Sequence, residues 1–503
     1  MEGDMRIEGR DAHVTTKNGP VKGTVTRGSI AAFNGIPYAA PPLGSRRWRP
    51  PAAHDGWTDT LACTKPRERA WQRSTLNSEY TKMRTENLGV AKWRQLLLSA
   101  RVKVMPQRQS EDCLHLNIRT PVLGEHLPVM VWIHGGDHTD GAATEPTYEG
   151  GKLAARGCVV VTINYRLGMS GFMAHPELSE ESDAGVSGNY GLLDQIAALA
   201  WVRDNIGEFG GDPDNVTIFG QSAGGQAVLN LMAAPPARGL FHRAIAQSPS
   251  DSGRWLHLHK PILDFTPAEA AGTRFANLVV GEGDGQLTRL RSLSADKLNR
   301  PYRENRHLAR YFYPCVDGEI LPEAPMAAFT NDRQAPVPLM IGYNADEGTL
   351  IAEFLHPAGA EFEPVDVDAD GLRAVLHRSY GSAERVERLV AAYPGLLDRD
   401  RDAILAHCGD HMFGVHVDHA ARCSRRRRSP HLSVSLSLGS EVSHPNGRRL
   451  PLSGGPQRFR DPSPARAIAQ RDRRARRPHG RPLGWVRPHR QAKPCRTRSV
   501  AGV

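Results

Sequence analysis

The sequence predicts an α/β protein in which helices flank a mostly parallel central sheet. Runs at residues 128–133 and 158–163 are almost entirely apolar, as is typical of strands that are buried on both faces, and a further apolar run lies at 337–342. Helical patterns separate such runs, and this alternation indicates the crossover connections of a parallel sheet. A Gly-x-Ser-x-Gly segment at residues 220–224 adds a sharp turn between a strand and a helix.

The elements follow one another along the first 423 residues without an internal repeat. Apolar runs that are bounded by turn residues predict strands at residues 21–25, 33–39, 113–118, 128–133, 158–163, 216–219 and 337–342. Helical spacing and stop signals predict helices at residues 153–157, 192–209 and 225–232. Residues 65–108 are polar and partly helical in pattern, without a clear period.

The composition excludes several classes of protein. The chain has 503 residues, of which 40% are hydrophobic, and this suffices for a large core. No run reaches the roughly 18 apolar residues that a membrane span requires. The N-terminus carries acidic residues and has no apolar signal segment, so we predict a cytoplasmic protein. The seven cysteines form no C-x-x-C pattern, so we expect reduced thiols and no metal site.

The net charge of +10 is concentrated at the C-terminal end. Residues 424–503 contain 19 Arg and one Lys but only three acidic residues, a net charge of +17, which leaves −7 for residues 1–423. The same segment is rich in Pro, Ser and Gly, and it contains too few apolar residues to order itself. We therefore predict a folded domain at residues 1–423 and a disordered basic tail at 424–503.

The Gly-x-Ser-x-Gly segment places a candidate nucleophile, Ser222, between the strand at 216–219 and the helix at 225–232. Such a turn strains the backbone, and a Cβ at Gly220 or Gly224 would clash with neighbouring chain. The turn exposes the serine hydroxyl above the sheet, where a histidine can deprotonate it and a carbonyl carbon can approach it. The alternative is a loop that matches a short pattern by chance, but the flanking strand and helix favour the nucleophile.

A second glycine-rich segment, His-Gly-Gly-Asp at residues 134–137, follows the strand at 128–133 directly. Backbone N–H groups of such a loop can bind the oxyanion of an acyl-transfer reaction, together with the N–H of Ala223, the residue after the nucleophile. The alternative is a tight turn without a chemical role. Its position after a buried strand and before the serine turn favours an oxyanion loop.

Many segments of the chain resemble the type-B carboxylesterases, which are relatives of the cholinesterases. The similar segments fall within about residues 15–423, at 33–39, 41–44, 110–117, 164–168, 171–172, 189–195, 209–213, 220–224, 241–248, 317–318 and 342–348. The resemblance implies the α/β-hydrolase fold and hydrolysis of carboxylic esters through a serine acyl-enzyme. It also implies a small-molecule ester as the partner, without a metal or an organic cofactor.

By the same resemblance, Glu347 is the acid that orients the catalytic histidine, and Asp346 is a bystander. The alternative interpretation of this pair is a solvated acidic loop. The resemblance further implies that the oxyanion hole consists of the backbone N–H groups of Gly136, Asp137 and Ala223.

The histidine of that family lies near the C-terminus in a His-Gly segment followed by an apolar turn, and this sequence contains no such segment. His444 has a plausible separation from Glu347, but its neighbours do not match, and we favour a tail histidine without a catalytic role. We therefore expect impaired turnover. The alternative function is that of a catalytically silent, esterase-like binding protein.

The resemblance stops near Cys423, where the Arg-rich segment begins. GC-rich coding DNA that is read in the wrong frame gives such a composition, so our hypothesis is a frameshift that replaced the last strands and the histidine loop. The alternative is a genuine basic tail that binds nucleic acid, since Arg clusters contact phosphates. Only Phe459 and Trp485 are aromatic there, and we favour the frameshift.

Three positions depart from the pattern of the family. Asp137 stands where a third glycine or an alanine is usual, and its charge would lower turnover unless the carboxylate points outward or is protonated. Gln221 stands where many members have Glu, a change that we expect to matter little. Cys63 is poorly spaced to pair with Cys113, so we predict no disulfide between them.

Overall fold

The structure is a computed structural model. It describes residues 5–26, 29–72, 91–94, 108–122, 124–250, 255–262, 266–304, 311–344, 346–349, 369–370, 373, 376–377, 382–398, 400–426 and 432–433. All of these residues belong to one compact unit, which ends at Ser453. Among the described helices, none has the length and apolar character that a membrane crossing requires.

Strands supply the framework of the site. In chain order they are β1 (Arg6–Glu8), β2 (Asp11–Thr16), β3 (Gly19–Thr26), β4 (Ile30–Pro37), β5 (Leu61–Ala62), β6 (Arg69–Ala70), β7 (Gln109–Ser110), β8 (His115–Pro121), β9 (Leu127–Ile133), β10 (Val159–Ile163), β11 (Gly211–Gln221), β12 (Arg243–Gln247), β13 (Leu256–His257), β14 (Cys315–Val316), β15 (Leu339–Gly342) and β16 (Leu432–Ser433).

Helices connect these strands. They are α1 (Gly151–Ala154), α2 (Gly168–Phe172), α3 (Pro176–Glu180), α4 (Tyr190–Asn205), α5 (Ala223–Ala233), α6 (Ala268–Val280), α7 (Gln286–Arg291), α8 (Ala295–Glu304), α9 (Pro325–Thr330), α10 (Ala383–Ala392), α11 (Arg401–Gly409) and α12 (Val415–Arg426). A 3₁₀ turn, Ile206–Phe209, extends α4, and a π-helical turn, Asp410–Gly414, joins α11 to α12.

One mixed sheet dominates the described part of the chain. Its strand order is β1-β2-β3-β4-β8-β10-β9-β11-β12-β15-β16, with β5 paired to β3. The strands from β1 to β10 pair antiparallel in this order, whereas the strands from β10 to β16 pair parallel. Because parallel strands end at the same edge, the loops that follow β9, β11, β12 and β15 meet there, and this edge carries the candidate site.

The two faces of the parallel strands differ in burial. On one face the side chains, among them Val131, Ile218 and Ile341, are fully buried in the main hydrophobic core. On the other face, Phe219, Ile245 and Met340 lie side by side in register on β11, β12 and β15. Phe219 and Ile245 are partly buried, and Met340 is 39% exposed. We call these three residues the open sheet face.

The predicted fold class is confirmed, since a mostly parallel set of core strands alternates with helices. Burial on both faces, expected from the runs at 128–133 and 158–163, is found at Trp132 and Val160, whereas Met340 in the run at 337–342 is exposed. The helix expected at residues 192–209 is α4 followed by its 3₁₀ turn. Most of residues 65–108 lies outside the described residues.

The described chain continues past residue 423, where the sequence predicts the folded domain to end. Helix α12 runs to Arg426, and β16 pairs with β15 through Met340–Leu432 and Ile341–Ser433. The rest of the predicted tail, including His444, lies outside the described residues. The division at residues 423 and 424 therefore stays a prediction.

Candidate active site

Ser222 lies in a strained turn between β11 and α5. Its backbone has φ 57° and ψ −127°, a conformation that residues with a side chain rarely adopt. A Cβ at Gly220 would lie 2.4 Å from the carbonyl oxygen of Gly224, and one at Gly224 would lie 2.2 Å from that of Ile133. The close approach that the sequence analysis expected at both glycines is therefore present, and it involves the end of β9.

The neighbouring strands hold this turn through the backbone. The N–H of Ser222 donates to the carbonyl of Gln247 at the end of β12, at 2.9 Å. The carbonyl of Ser222 accepts from the N–H of Gln226 at 2.9 Å, and this is the first hydrogen bond of α5. The N–H of Ala223 lies in the first turn of α5, where helix geometry leaves N–H groups without an intrahelical acceptor. The helix dipole favours negative charge at the same place.

The glycine-rich segment after β9 packs against the serine turn. A Cβ at Gly135 would lie 2.5 Å from the carbonyl oxygen of Gln221 and 3.3 Å from the Cβ of Ser222. The carbonyl of Gly136 accepts from the N–H groups of Thr139 and Asp140, at 3.1 and 2.9 Å, which closes a tight turn. We call residues 135–141 the oxyanion loop.

Three consecutive residues of this loop have positive φ angles. They are 106° at Gly136, 58° at Asp137 and 51° at His138. The side chain of Asp137 is exposed, and one of its carboxylate oxygens accepts a hydrogen bond from the hydroxyl of Tyr313. The carboxylate of Asp137 is therefore open to solvent and bonded to a phenol.

Glu347 lies just after β15 and is only 8% exposed. Its Oε1 accepts from Ser248 Oγ at 2.5 Å, and from the backbone N and the Nδ2 of Asn344 at 3.1 and 2.9 Å. Ser248 directly follows Gln247, whose carbonyl binds the N–H of Ser222. Two consecutive residues at the end of β12 thus contact the candidate nucleophile on one side and the candidate acid on the other. Asp346 is exposed, as a bystander would be.

None of the histidines that the structure describes hydrogen-bonds to Ser222 or Glu347. His134 lies directly before the oxyanion loop and His138 lies within it, and burial lowers the pKa of each to about 4. Nδ1 of His134 lies 2.8 Å from the carbonyl of Gly135, and Nε2 of His138 lies 2.9 Å from Oε1 of Gln226. A general base works best with a pKa near the working pH, so neither imidazole fits that role.

Sequence reasoning did not find four contacts of this site: Gln226, Ser248, Tyr313 and Asn344. Ser248 had a signal, because it directly follows an apolar strand whose end lies beside the serine turn. Gln226 also had one, since it lies one helical turn after Ser222. Tyr313 had none, because its partner is 176 residues away in the chain.

The thiols of Cys63 and Cys113 are free and buried. Burial raises the pKa of Cys63 to about 11 and that of Cys113 above its usual range, so both thiols are protonated at neutral pH. Across the described ranges, no three His, Cys, Asp or Glu side chains come together in a way that could hold a metal ion.

Comparison with known proteins gives a consistent result. The sequence model of the carboxylesterase family matches residues 10–440. The para-nitrobenzyl esterase of Bacillus subtilis is 42% identical over 347 residues, which cover 67% of this chain and 63% of that protein. The fumonisin B1 esterase of Sphingopyxis macrogoltabida is 35% identical over 425 residues, 82% of this chain and 69% of that protein. The match thus spans less than two thirds of the length of the Bacillus protein.

Solved structures share the fold. A PNB esterase structure superposes with a TM-score of 0.66 at 33% sequence identity, covering 86% of this chain and 81% of that one. A carboxylesterase of Geobacillus stearothermophilus gives a TM-score of 0.68 at 28% identity, covering 86% of this chain and 80% of that one. The residues that the family model matches, 10–440, include Ser222, Glu347 and the oxyanion loop.

Proposed function

Because this chain belongs to the carboxylesterase family, we propose that it hydrolyses carboxylic esters through an acyl-enzyme formed on Ser222. Ser222 Oγ attacks the ester carbonyl, and the alcohol leaves as the acyl group is transferred to the serine. Water then releases the acid and restores the hydroxyl. Neither step needs a metal or an organic cofactor.

The conformation of Ser222 carries this proposal. A left-handed φ on a serine costs of the order of 1–3 kcal/mol and persists only where the surroundings enforce it. Here Ile133, Gly135 and Gln247 enforce it through backbone contacts at the carboxyl edge of the sheet. A serine that served only as a loop residue would not require this arrangement.

The oxyanion loop supports the same chemistry. We assign the N–H groups of Gly136, Asp137 and Ala223 as donors to the tetrahedral oxyanion. The contact of Gly135 with Ser222 brings the loop next to the reacting atom. One such donor is worth about 3 kcal/mol in the transition state. Gln221 is exposed beside the turn, and we assign it no chemical role.

Glu347 is the proposed orienting acid, because its carboxylate is buried and fixed by three donors beside the serine turn. The imidazole that it would orient is not among the described residues, and His444 is the remaining weak candidate. Without an imidazole, turnover would fall by roughly 10⁴- to 10⁶-fold, as when a triad member is removed.

Relatives of this chain are named for the hydrolysis of small esters, such as para-nitrobenzyl esters, fumonisin B1 and pyrethroids. We propose a small-molecule carboxylic ester as the substrate of this chain too. One observation favours the alternative, a catalytically silent esterase-like binding protein: none of the histidines that the structure describes hydrogen-bonds to Ser222 or Glu347.

A biotinylated fluorophosphonate tests the proposal, because it reacts only with an activated serine. We expect covalent labelling at Ser222, located by peptide mass spectrometry, together with hydrolysis of para-nitrophenyl acetate, both at the low rates of a serine that lacks an imidazole partner. Ser222→Ala should abolish both, whereas Ser45→Ala, at an exposed serine, should change neither. Absence of labelling in the unmodified protein would instead support the silent binding protein.

A further inference from the structure

We propose that Tyr313 and Gln226 are positioning residues that hold the oxyanion loop and keep the Asp137 carboxylate away from the oxyanion. This inference rests on the proposed function, since it concerns the same site. It assigns a role to two side chains that act through the loop, and it explains how the chain accommodates an acidic residue there.

The loop needs anchors because its backbone is strained. Asp137 and His138 are consecutive non-glycine residues in the left-handed region, with φ angles of 58° and 51°. Each such residue costs of the order of 1–3 kcal/mol, and the conformation survives only where neighbours fix it. A glycine at position 137 would adopt it without this cost.

The first anchor acts on the side chain of Asp137. The hydroxyl of Tyr313 donates to its Oδ2. Tyr313 is itself partly buried and packs against the cluster that contains Leu256 and Cys315. The phenol therefore has a fixed position, and a hydrogen bond to a carboxylate is stronger than one between neutral groups.

The second anchor acts on His138. Its imidazole is 1% exposed, and Nε2 lies 2.9 Å from Oε1 of Gln226, on the helix that begins at the serine turn. An amide oxygen only accepts, so Nε2 carries the proton. The ring also packs edge-to-face against Phe172 and Tyr313, with centroid distances of 5.4 and 6.1 Å. The N–H of Gly168 binds its carbonyl at 2.7 Å.

Asp137 contributes two groups with opposite effects on the oxyanion. The N–H of Asp137 is a proposed donor to the oxyanion, while the carboxylate of the same residue would repel that oxyanion if it turned inward. The bond to Tyr313 keeps the carboxylate at the exposed side of the loop. Loss of the Tyr313 hydroxyl should therefore harm the reaction much more while residue 137 carries a charge than when it is neutral.

The decisive experiment measures the second-order rate constant of fluorophosphonate labelling in a double-mutant cycle. We expect Tyr313→Phe to slow labelling about tenfold, the effect of one lost hydrogen bond to a charged group. In the Asp137→Asn background, the same substitution should change the rate by less than about twofold. Tyr311→Phe, which removes a hydroxyl from the same segment, is the matched control and should label at the parent rate. A Tyr313→Phe effect of equal size in both backgrounds would overturn the proposal.

A measurement that does not depend on the reactivity of Ser222 separates this inference from the proposed function. Amide hydrogen exchange of residues 135–141 should become about tenfold faster in Tyr313→Phe and in Gln226→Leu, because each loses an anchor. Unchanged exchange in both variants would refute the inference even where labelling succeeds. Absence of labelling in the parent protein, together with faster exchange in the two variants, would refute the proposed function and leave the anchoring intact.

Discussion

At the scale of single residues, close backbone contacts decide which positions of the site tolerate a side chain. Gly224 lies against the carbonyl oxygen of Ile133, and Gly135 lies against that of Gln221. Rigid neighbouring backbone cannot move aside as a flexible side chain can. The glycines around Ser222 therefore reflect packing between strands as well as the freedom of the turn itself.

Gly224→Ala should lower the free energy of unfolding by more than about 3 kcal/mol, or prevent folding, because its Cβ would overlap backbone in the core. Gly207→Ala is the matched control, since a Cβ there meets nothing within 4 Å. It should be neutral or slightly stabilising. Urea unfolding followed by circular dichroism measures both, and equal stabilities of the two variants would contradict this account.

The residues of the site differ in how far the sequence could reveal them. Ser222 and its flanking glycines were predictable, because local sequence determines a strand, a turn and a helix. The orientation of the Asp137 side chain was not, because it depends on Tyr313, which is distant in sequence. A local sequence pattern cannot predict contacts between residues that are this far apart in the chain.

At the scale of elements, β15 shows what an apolar run does and does not reveal. The run at 337–342 correctly predicts a core strand, yet Ile341 is buried whereas Met340 is 39% exposed. Strand residues alternate between two faces, and the apolar pattern does not state what covers each face. The open sheet face is thus a property of the structure that only tertiary packing determines.

Met340→Lys and Ile341→Lys should therefore differ greatly although they are adjacent. The first places a charge on the open sheet face, so it should change the free energy of unfolding by less than about 1 kcal/mol and should reduce binding of the dye ANS. The second buries a charge, so it should cost more than about 3 kcal/mol. A Met340→Lys variant that binds ANS as strongly as the parent would show that the face is covered in solution.

At the scale of the whole molecule, buried histidines connect stability to pH. Burial lowers the pKa of His115 to about 3 and that of His134, His138 and His407 to about 4. In the unfolded chain a histidine titrates near 6.5. Between these values the unfolded state binds more protons than the native state, so stability is complete above about pH 6.5 and falls as the pH decreases towards 4.

His407→Asn should reduce this loss of stability. At pH 5, each such histidine destabilises the native state by about 2 kcal/mol relative to pH 7.5, and the asparagine removes that contribution. The measurement is the difference in unfolding free energy between the two pH values, in parent and variant. His126→Asn, at an exposed histidine, is the control and should keep the parent difference. A His407→Asn variant with the parent difference would contradict the buried, neutral state.

For the whole chain, the sequence was sufficient to predict some features and not others. The sheet, the serine turn and the family were predictable, because their signals lie within short segments. The imidazole that the reaction requires was not found, and the described residues do not supply it. After residue 423 the composition is rich in arginine and apolar periodicity is lost, so the sequence offers no pattern from which a histidine loop could be predicted there.

The backbone contacts of Ser222 have a consequence for the order of folding. Two separate segments hold the serine turn: the end of β9, with Ile133 and Gly135, and the end of β12, with Gln247. They meet the turn only after β9, β11 and β12 have paired. Bringing distant segments together costs loop-closure entropy before any stabilising contact has formed, so strands that are far apart in the chain pair late. A growing or partly folded chain therefore holds Ser222 without its strained backbone conformation, which arises only when the sheet is assembled.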